Sequence, residues 1–153
     1  MKLQEVLDSK AYNWEVTFDE NDFFKAYFDI YEDDSLMIFT GTLINKDAKP
    51  EDQLWELGFS RKLPKTTRTT YDLWNDKDTS ITLKIFSTIK DILVYFLNHK
   101  DVNFRFIAKE PSRIKLYNRF AKEIASKYHK YNLEISREEH GYAVYTFKHK
   151  EID

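Results

Sequence analysis

Lys115, Arg119 and Lys122 stand at i, i+4 and i+7, with Ser126 continuing the row and Arg113 and Lys127 beside it. On a helix that spacing gathers the charges on one face, and a row of cations attracts phosphate or carboxylate. Arg61, Lys62, Lys65 and Arg68 form a second basic group, interleaved with Thr66, Thr67, Thr69 and Thr70, whose hydroxyls can donate to phosphate. If this loop meets the helix, the two form a cationic surface for nucleic acid or for an acidic protein. The charge is unevenly spread: residues 1–59 hold 14 acids and 5 bases, residues 60–153 hold 12 acids and 19 bases, and the whole chain carries −2. A chain that is slightly acidic overall is a poor match for tight duplex binding, and its acidic first part would repel a duplex. A protein partner is therefore the first expectation, with nucleic acid as the alternative. Tyr71 and Trp74, in the same segment as the second basic group, are of the residue types that anchor protein interfaces.

Other chemistries are closed off by residue type and spacing. His99, His129, His140 and His149 lie outside ligand spacing of one another, so no metal site is expected. None of the eight serines sits in a Gly-x-Ser-x-Gly elbow, and Ser112 reads as a helix cap rather than a nucleophile. The acid clusters Asp19–Asp22, Glu32–Asp34, Glu51–Asp52 and Glu138–Glu139 all fall in turns, where solvation keeps a carboxyl group from the raised pKa that acid–base catalysis needs. With three glycines, Gly41, Gly58 and Gly141, there is no phosphate-cradling loop, and with no cysteine there is no disulfide or thiolate site. The expectation is no cofactor and no reaction.

The elements that would position these residues follow from hydrophobic periodicity. Trp14, Val16 and Phe18 alternate with polar residues, a turn at Asp19–Asp22 leads to a strand over Phe23–Ile30, and further strands are expected over Leu36–Ile44 and Leu54–Ser60. Arg61–Asp78 is expected to be a long exposed loop, with a short strand around Tyr71–Trp74. A helix opens near Ser80, with Asp78, Thr79 or Ser80 as its cap and Leu83, Phe86, Ile89, Leu93, Phe96 and Leu97 on its apolar stripe. Val102–Ala108 reads as a strand. A second helix is expected from Ser112 to about His129, with Ile114, Tyr117, Ala121, Ile124 and Tyr128 inward. Strands over Tyr131–Arg137 and Tyr142–Lys148 close the chain around a turn at Gly141, which needs a residue tolerant of positive φ.

The order ββββ-α-β-α-ββ describes one α+β domain over residues 1–153, a mostly antiparallel sheet that begins as a four-strand meander and carries both helices on one face. Twenty-five aromatics give it ample core. The most apolar run, Ile81–Leu97, is broken by Lys84, Lys90 and Asp91, and the first residues lack the pattern of a secretory signal, so neither membrane insertion nor secretion is expected.

The run Val102–Phe120, with Ser112-Arg113 and Leu116-Tyr117-Asn118-Arg119, and the upstream Phe86-Ser87-Thr88-Ile89, resembles a group of small tailed-phage proteins that share a strand and an SRxxLYxR helix start. That resemblance covers about residues 83–147 and implies a phage or prophage source, and with it a host-cytoplasmic or virion location; it brings no activity with it, and a non-enzymatic accessory or virion-associated role is expected mainly by exclusion. The order helix, strand, helix with Leu-Tyr, two strands is also similar to the C-terminal half of the GNAT acetyltransferase fold, which implies Tyr117 as general acid. The acyl-CoA pyrophosphate loop of that family should then fall near Asp76–Thr82, and Asn75–Ile81 contains no glycine. A GNAT-like chain of this kind would be a degenerate member without its cofactor.

Overall fold

The computed structural model describes residues 11–62, 69–70, 79–109, 114–138 and 141–150. The elements are β1 (Trp14–Asp19), β2 (Phe23–Ile30), β3 (Ser35–Leu43), a 3-10 turn (Pro50–Asp52), β4 (Leu54–Lys62), β5 (Thr69–Thr70), α1 (Thr79–Lys100), β6 (Asn103–Ala108), α2 (Ile114–Lys127), β7 (Tyr131–Arg137) and β8 (Ala143–His149). Strands are hydrogen-bonded in the order β1-β2-β3-β4-β6-β8-β7, with the short β5 against β4. This is the expected α+β class: consecutive strands form the N-terminal meander, and two helices follow. The β4–β6 pair departs from antiparallel pairing. Leu54–Leu57 of β4 run parallel to Asn103–Phe106 of β6, and the intervening chain passes through α1, the long crossover that parallel strands require.

The chain divides into two compact units, Met1–Thr40 with Phe59–Asp101 and Gly41–Gly58 with Val102–Asp153. In the first, β2 alternates cleanly, with Phe24, Ala26, Phe28 and Ile30 buried. Phe24 meets Phe39 edge-on at 5.8 Å and Phe96 of α1 at 5.2 Å, and Phe39 lies 5.3 Å from Phe59. Such offset and edge-on geometries are those aromatic quadrupoles favour. α1 buries a wider face than one stripe: Ile85, Ile92 and the small polar Ser87 and Thr88 join Phe86, Ile89, Leu93, Phe96 and Leu97, while Leu83 is half-buried. Thr79 and Ser80 are already helical, and Asp78 lies outside the described residues.

The second unit is built on β6 and β8. Phe104 stacks on Phe147 at 4.6 Å and Phe106 on Tyr145 at 5.0 Å, both across the antiparallel register. α2 covers this aromatic layer with Ile114, Tyr117, Phe120, Ala121 and Ile124. Phe120 completes a stripe whose fifth position the sequence assigned to Tyr128; Tyr128 instead follows the helix end and is half-buried. Asn103 ties the strand ends together. Its side-chain amide donates to the carbonyls of Glu51 (3.0 Å) and Gln53 (3.2 Å), and its oxygen accepts from the His149 N–H (2.8 Å). Gly141 has φ 84°, the positive value that its turn was expected to require.

The strand β4 extends two residues beyond its expected end, so Arg61 and Lys62 belong to the sheet and not to an exposed loop. Thr69 and Thr70 pair with them in β5. The expected strand at Tyr71–Trp74 and the cap at Ser112 fall outside the described residues.

Candidate interaction surface

α2 is strongly amphipathic because its apolar residues recur at 3.6-residue spacing while charges fill the remaining positions. Its buried side is pinned by Tyr145, whose hydroxyl donates to Asn118 Oδ1 at 2.6 Å; burial pushes the Tyr145 phenol up to about 12, so it remains a donor at neutral pH. With one side fixed, the opposite side faces water as a defined row. Lys115, Arg119, Lys122 and Ser126 are all exposed. The three cations cover roughly 10 Å of helix axis at about 1.5 Å per residue. None of the three has a carboxylate partner among the described residues. Farther along, Lys127 is paired with Glu123 at 3.4 Å, and Lys130 lies over the Tyr131 ring at 5.6 Å. Charge that could have been neutralised by an i, i+4 acid is neutralised near Lys127 and left open at the row.

Of the second basic group, Arg61 and Lys62 lie among the described residues. Arg61 is 2% exposed, donates to Ser35 Oγ through Nε at 2.9 Å, and forms an ion pair with Asp33. Trp55, Leu57, Phe59 and Arg61 share one parity of β4 and all point inward, so the strand carries the guanidinium into the core face. Lys62, at the other parity, is exposed at the strand end. Lys65, Arg68, Tyr71, Trp74 and Arg113 lie outside the described residues. Tyr117 is 4% exposed, with its ring 6.4 Å from Phe106 and 6.5 Å from Tyr145, a core position.

Arg61 belongs to a polar cluster in the first unit that the sequence did not disclose. Asp33 accepts from the Ser35 N–H (3.0 Å) and hydroxyl (2.6 Å), an arrangement that closes the turn in which Asp34 takes φ 59°. Burial alone would push the Asp33 carboxyl up; the Ser35 bonds and the Arg61 charge outweigh it and hold the group below its ordinary range. Beside it, the Tyr12 hydroxyl donates to Glu32 Oε2 at 2.8 Å, and the Tyr12 N–H is bonded to Thr88 Oγ1 at 2.9 Å. Burial and the Glu32 carboxylate raise the Tyr12 phenol well above its usual range. Lys84 Nζ lies 4.2 Å from the Tyr12 ring centroid and 4.6 Å from that of Tyr31, and donates to the Tyr31 hydroxyl. Apart from the local Asp33–Ser35 turn, the hydrogen-bonded partners are 20 to 76 residues apart in sequence, too far for local spacing to signal them. Every polar group named in this cluster is matched by another within it, which suits a structural tie better than a reactive centre.

Among the described residues no three His, Asp or Glu side chains gather as metal ligands would, and no helix is long and apolar enough to cross a membrane. Compared with protein-family models, curated proteins and solved structures, the chain matches none.

Proposed function

We propose that this chain is a non-enzymatic interaction protein that docks the cationic face of α2 onto an acidic patch of a protein partner, in an accessory or virion-associated role. The observation that carries the reading is the open row Lys115, Arg119 and Lys122 on a helix held rigid from behind by Ile114, Tyr117, Phe120 and Tyr145. A pre-set helix backbone adds no ordering cost of its own on binding, and the charges it carries act within the screening length of about 8–10 Å. Such a row suits a local carboxylate patch better than an extended polyanion, which would feel the net charge of −2 over the whole chain. Affinity capture from a native host lysate, with and without nuclease and at low and high salt, tests this. Reversing Lys115, Arg119 and Lys122 to Glu is expected to weaken capture of the partner about tenfold or more while leaving the fold intact. Retention that ignores the reversal would overturn the reading, and loss on nuclease treatment would transfer the row to nucleic acid.

A second reading, a degenerate GNAT-like acyltransferase using Tyr117, draws on the order α1-β6-α2-β7-β8 with β4 parallel to β6, and the burial of Tyr117 counts against it. A chain that keeps acyl-CoA affinity would gain about 2.7 kcal/mol of stability at ligand a hundredfold above Kd, visible as a thermal shift with acetyl-CoA. The expected result is no shift, because Tyr117 is spent on core packing and Asn75–Ile81 has no glycine to let backbone amides close on a pyrophosphate.

A further inference from the structure

The strand β7 ends the sheet order, and among the described residues its outer edge is open over a defined length. Lys150 N–H bonds the Lys130 carbonyl at 2.7 Å and Glu138 N–H bonds the Tyr142 carbonyl at 2.8 Å, both on the register that pairs β7 with β8. Hydrogen-bonded pairs alternate along an antiparallel ladder, so the even residues of β7 turn their backbone groups toward β8 and the odd residues turn theirs outward. Tyr131 N–H is already bonded to the Tyr128 carbonyl. That leaves Leu133, Ile135 and Arg137, whose outward N–H and C=O groups have no partner among the described residues. Ile135, at the centre of this stretch, is 41% exposed on the same side of the strand as the buried Tyr131. The opposite sheet edge differs: β1 carries a bulge between Val16 and Phe18, a device that blunts edge pairing, whereas the β7–β8 register runs without a shift.

We propose that β7 pairs with β7 of a second copy of this chain, antiparallel and centred on Ile135. Two-fold pairing about Ile135 sets Ile135 opposite its own copy and Leu133 opposite Arg137, so all three open residues bond, giving about six backbone hydrogen bonds. Glu134 then faces Ser136. Centring one residue earlier sets Glu134 on Glu134 and needs the occupied Tyr131; centring one residue later sets Glu134 on Glu138 twice. Like charges directly opposite oppose pairing, so charge and open edge select the same register. The Ile135 pair extends the apolar side of the sheet across the junction, and the chain partners itself without any shape change.

Sedimentation across a concentration series, using the whole chain, should show a weak monomer–dimer equilibrium. Ser136→Lys, facing Glu134 of the other copy, should tighten it by about 2- to 30-fold over the two symmetric pairs, and Ser136→Glu should weaken it by a similar factor. Because the chain has no cysteine, a background-free check is available. Glu134→Cys mixed with Ser136→Cys should cross-link, since facing residues at such a pair are about 4.5 Å apart between Cα atoms, within disulfide reach. A chain that stays monomeric up to about 1 mM, whether or not it captures an extended peptide, would overturn the proposal. Cross-linking of either single variant with itself in preference to the mixture would overturn the register.

Discussion

Replacing Arg61 with Met is expected to lower stability by about 2–3 kcal/mol, or roughly 5–10 °C in Tm for a chain of this size. The guanidinium is 2% exposed and holds both Asp33 and Ser35. Removing one partner of a buried pair leaves the other charge uncompensated, which costs about 3–5 kcal/mol when both are fully buried. The Asp33 side chain keeps 38% exposure and regains some water, which lowers the figure. The neighbouring Lys62→Met, at an exposed strand end, is expected to stay within about 0.5 kcal/mol of the parent. Urea unfolding of the two variants checks this directly. A pH series adds the sign: a carboxyl held below its unfolded value of about 3.9 contributes stability that is fully present above that value and is lost as pH falls through the folded one. The gap between parent and Arg61→Met should therefore be constant at neutral pH and narrow in acid below about pH 4. A gap that widens in acid would mean that Asp33 is not the group Arg61 stabilises.

Arg61 also shows where the sequence misleads. Sorting residues by charge put it with Lys62, Lys65 and Arg68 on a surface, while strand parity, with Trp55, Leu57 and Phe59 at the same alternate positions, already pointed it inward. What no local pattern could supply was the partner, Asp33, 28 residues upstream and across two strands. The same limit hides the Tyr12, Tyr31 and Lys84 cluster and the parallel pairing of β4 with β6, since neither leaves a mark on nearby spacing. Periodic features were legible. The alternation of β2, the apolar stripe of α2 and the exposed row Lys115, Arg119 and Lys122 follow from the two side-chain periods alone, because one buried face fixes the other. Phe120 was missed although it lies three residues from Tyr117 and four before Ile124, spacing that places it on the same stripe.

The largest loss is expected for Phe106→Ala, about 3–5 kcal/mol, a large part of the 5–15 kcal/mol that a domain has in total. Phe106 is 1% exposed and packs among four rings: Tyr145 at 5.0 Å, Phe120 at 5.9 Å, Phe147 at 6.0 Å and Tyr117 at 6.4 Å. Neighbours drawn from β8 and α2 cannot collapse into the gap together, because Tyr145 is held by its bond to Asn118 and by the strand register. The cavity term therefore persists on top of the lost transfer energy. Phe106→Leu keeps most of the volume and should cost about 1.5 kcal/mol or less, which separates the cavity from any role of the ring itself. Exposed Phe18, at 47%, gives the control: Phe18→Ala should change stability by about 0.5 kcal/mol. The consequence for α2 is the informative part. If Phe106 and Tyr145 are what hold the buried stripe in place, amide exchange along Ile114–Lys127 should speed up in Phe106→Ala before the chain unfolds globally, and the row of cations on the far side should lose its fixed spacing with it. Uniform acceleration across β1, β2 and α2 alike would instead mean that the two units unfold as one and that α2 has no separate dependence on this ring.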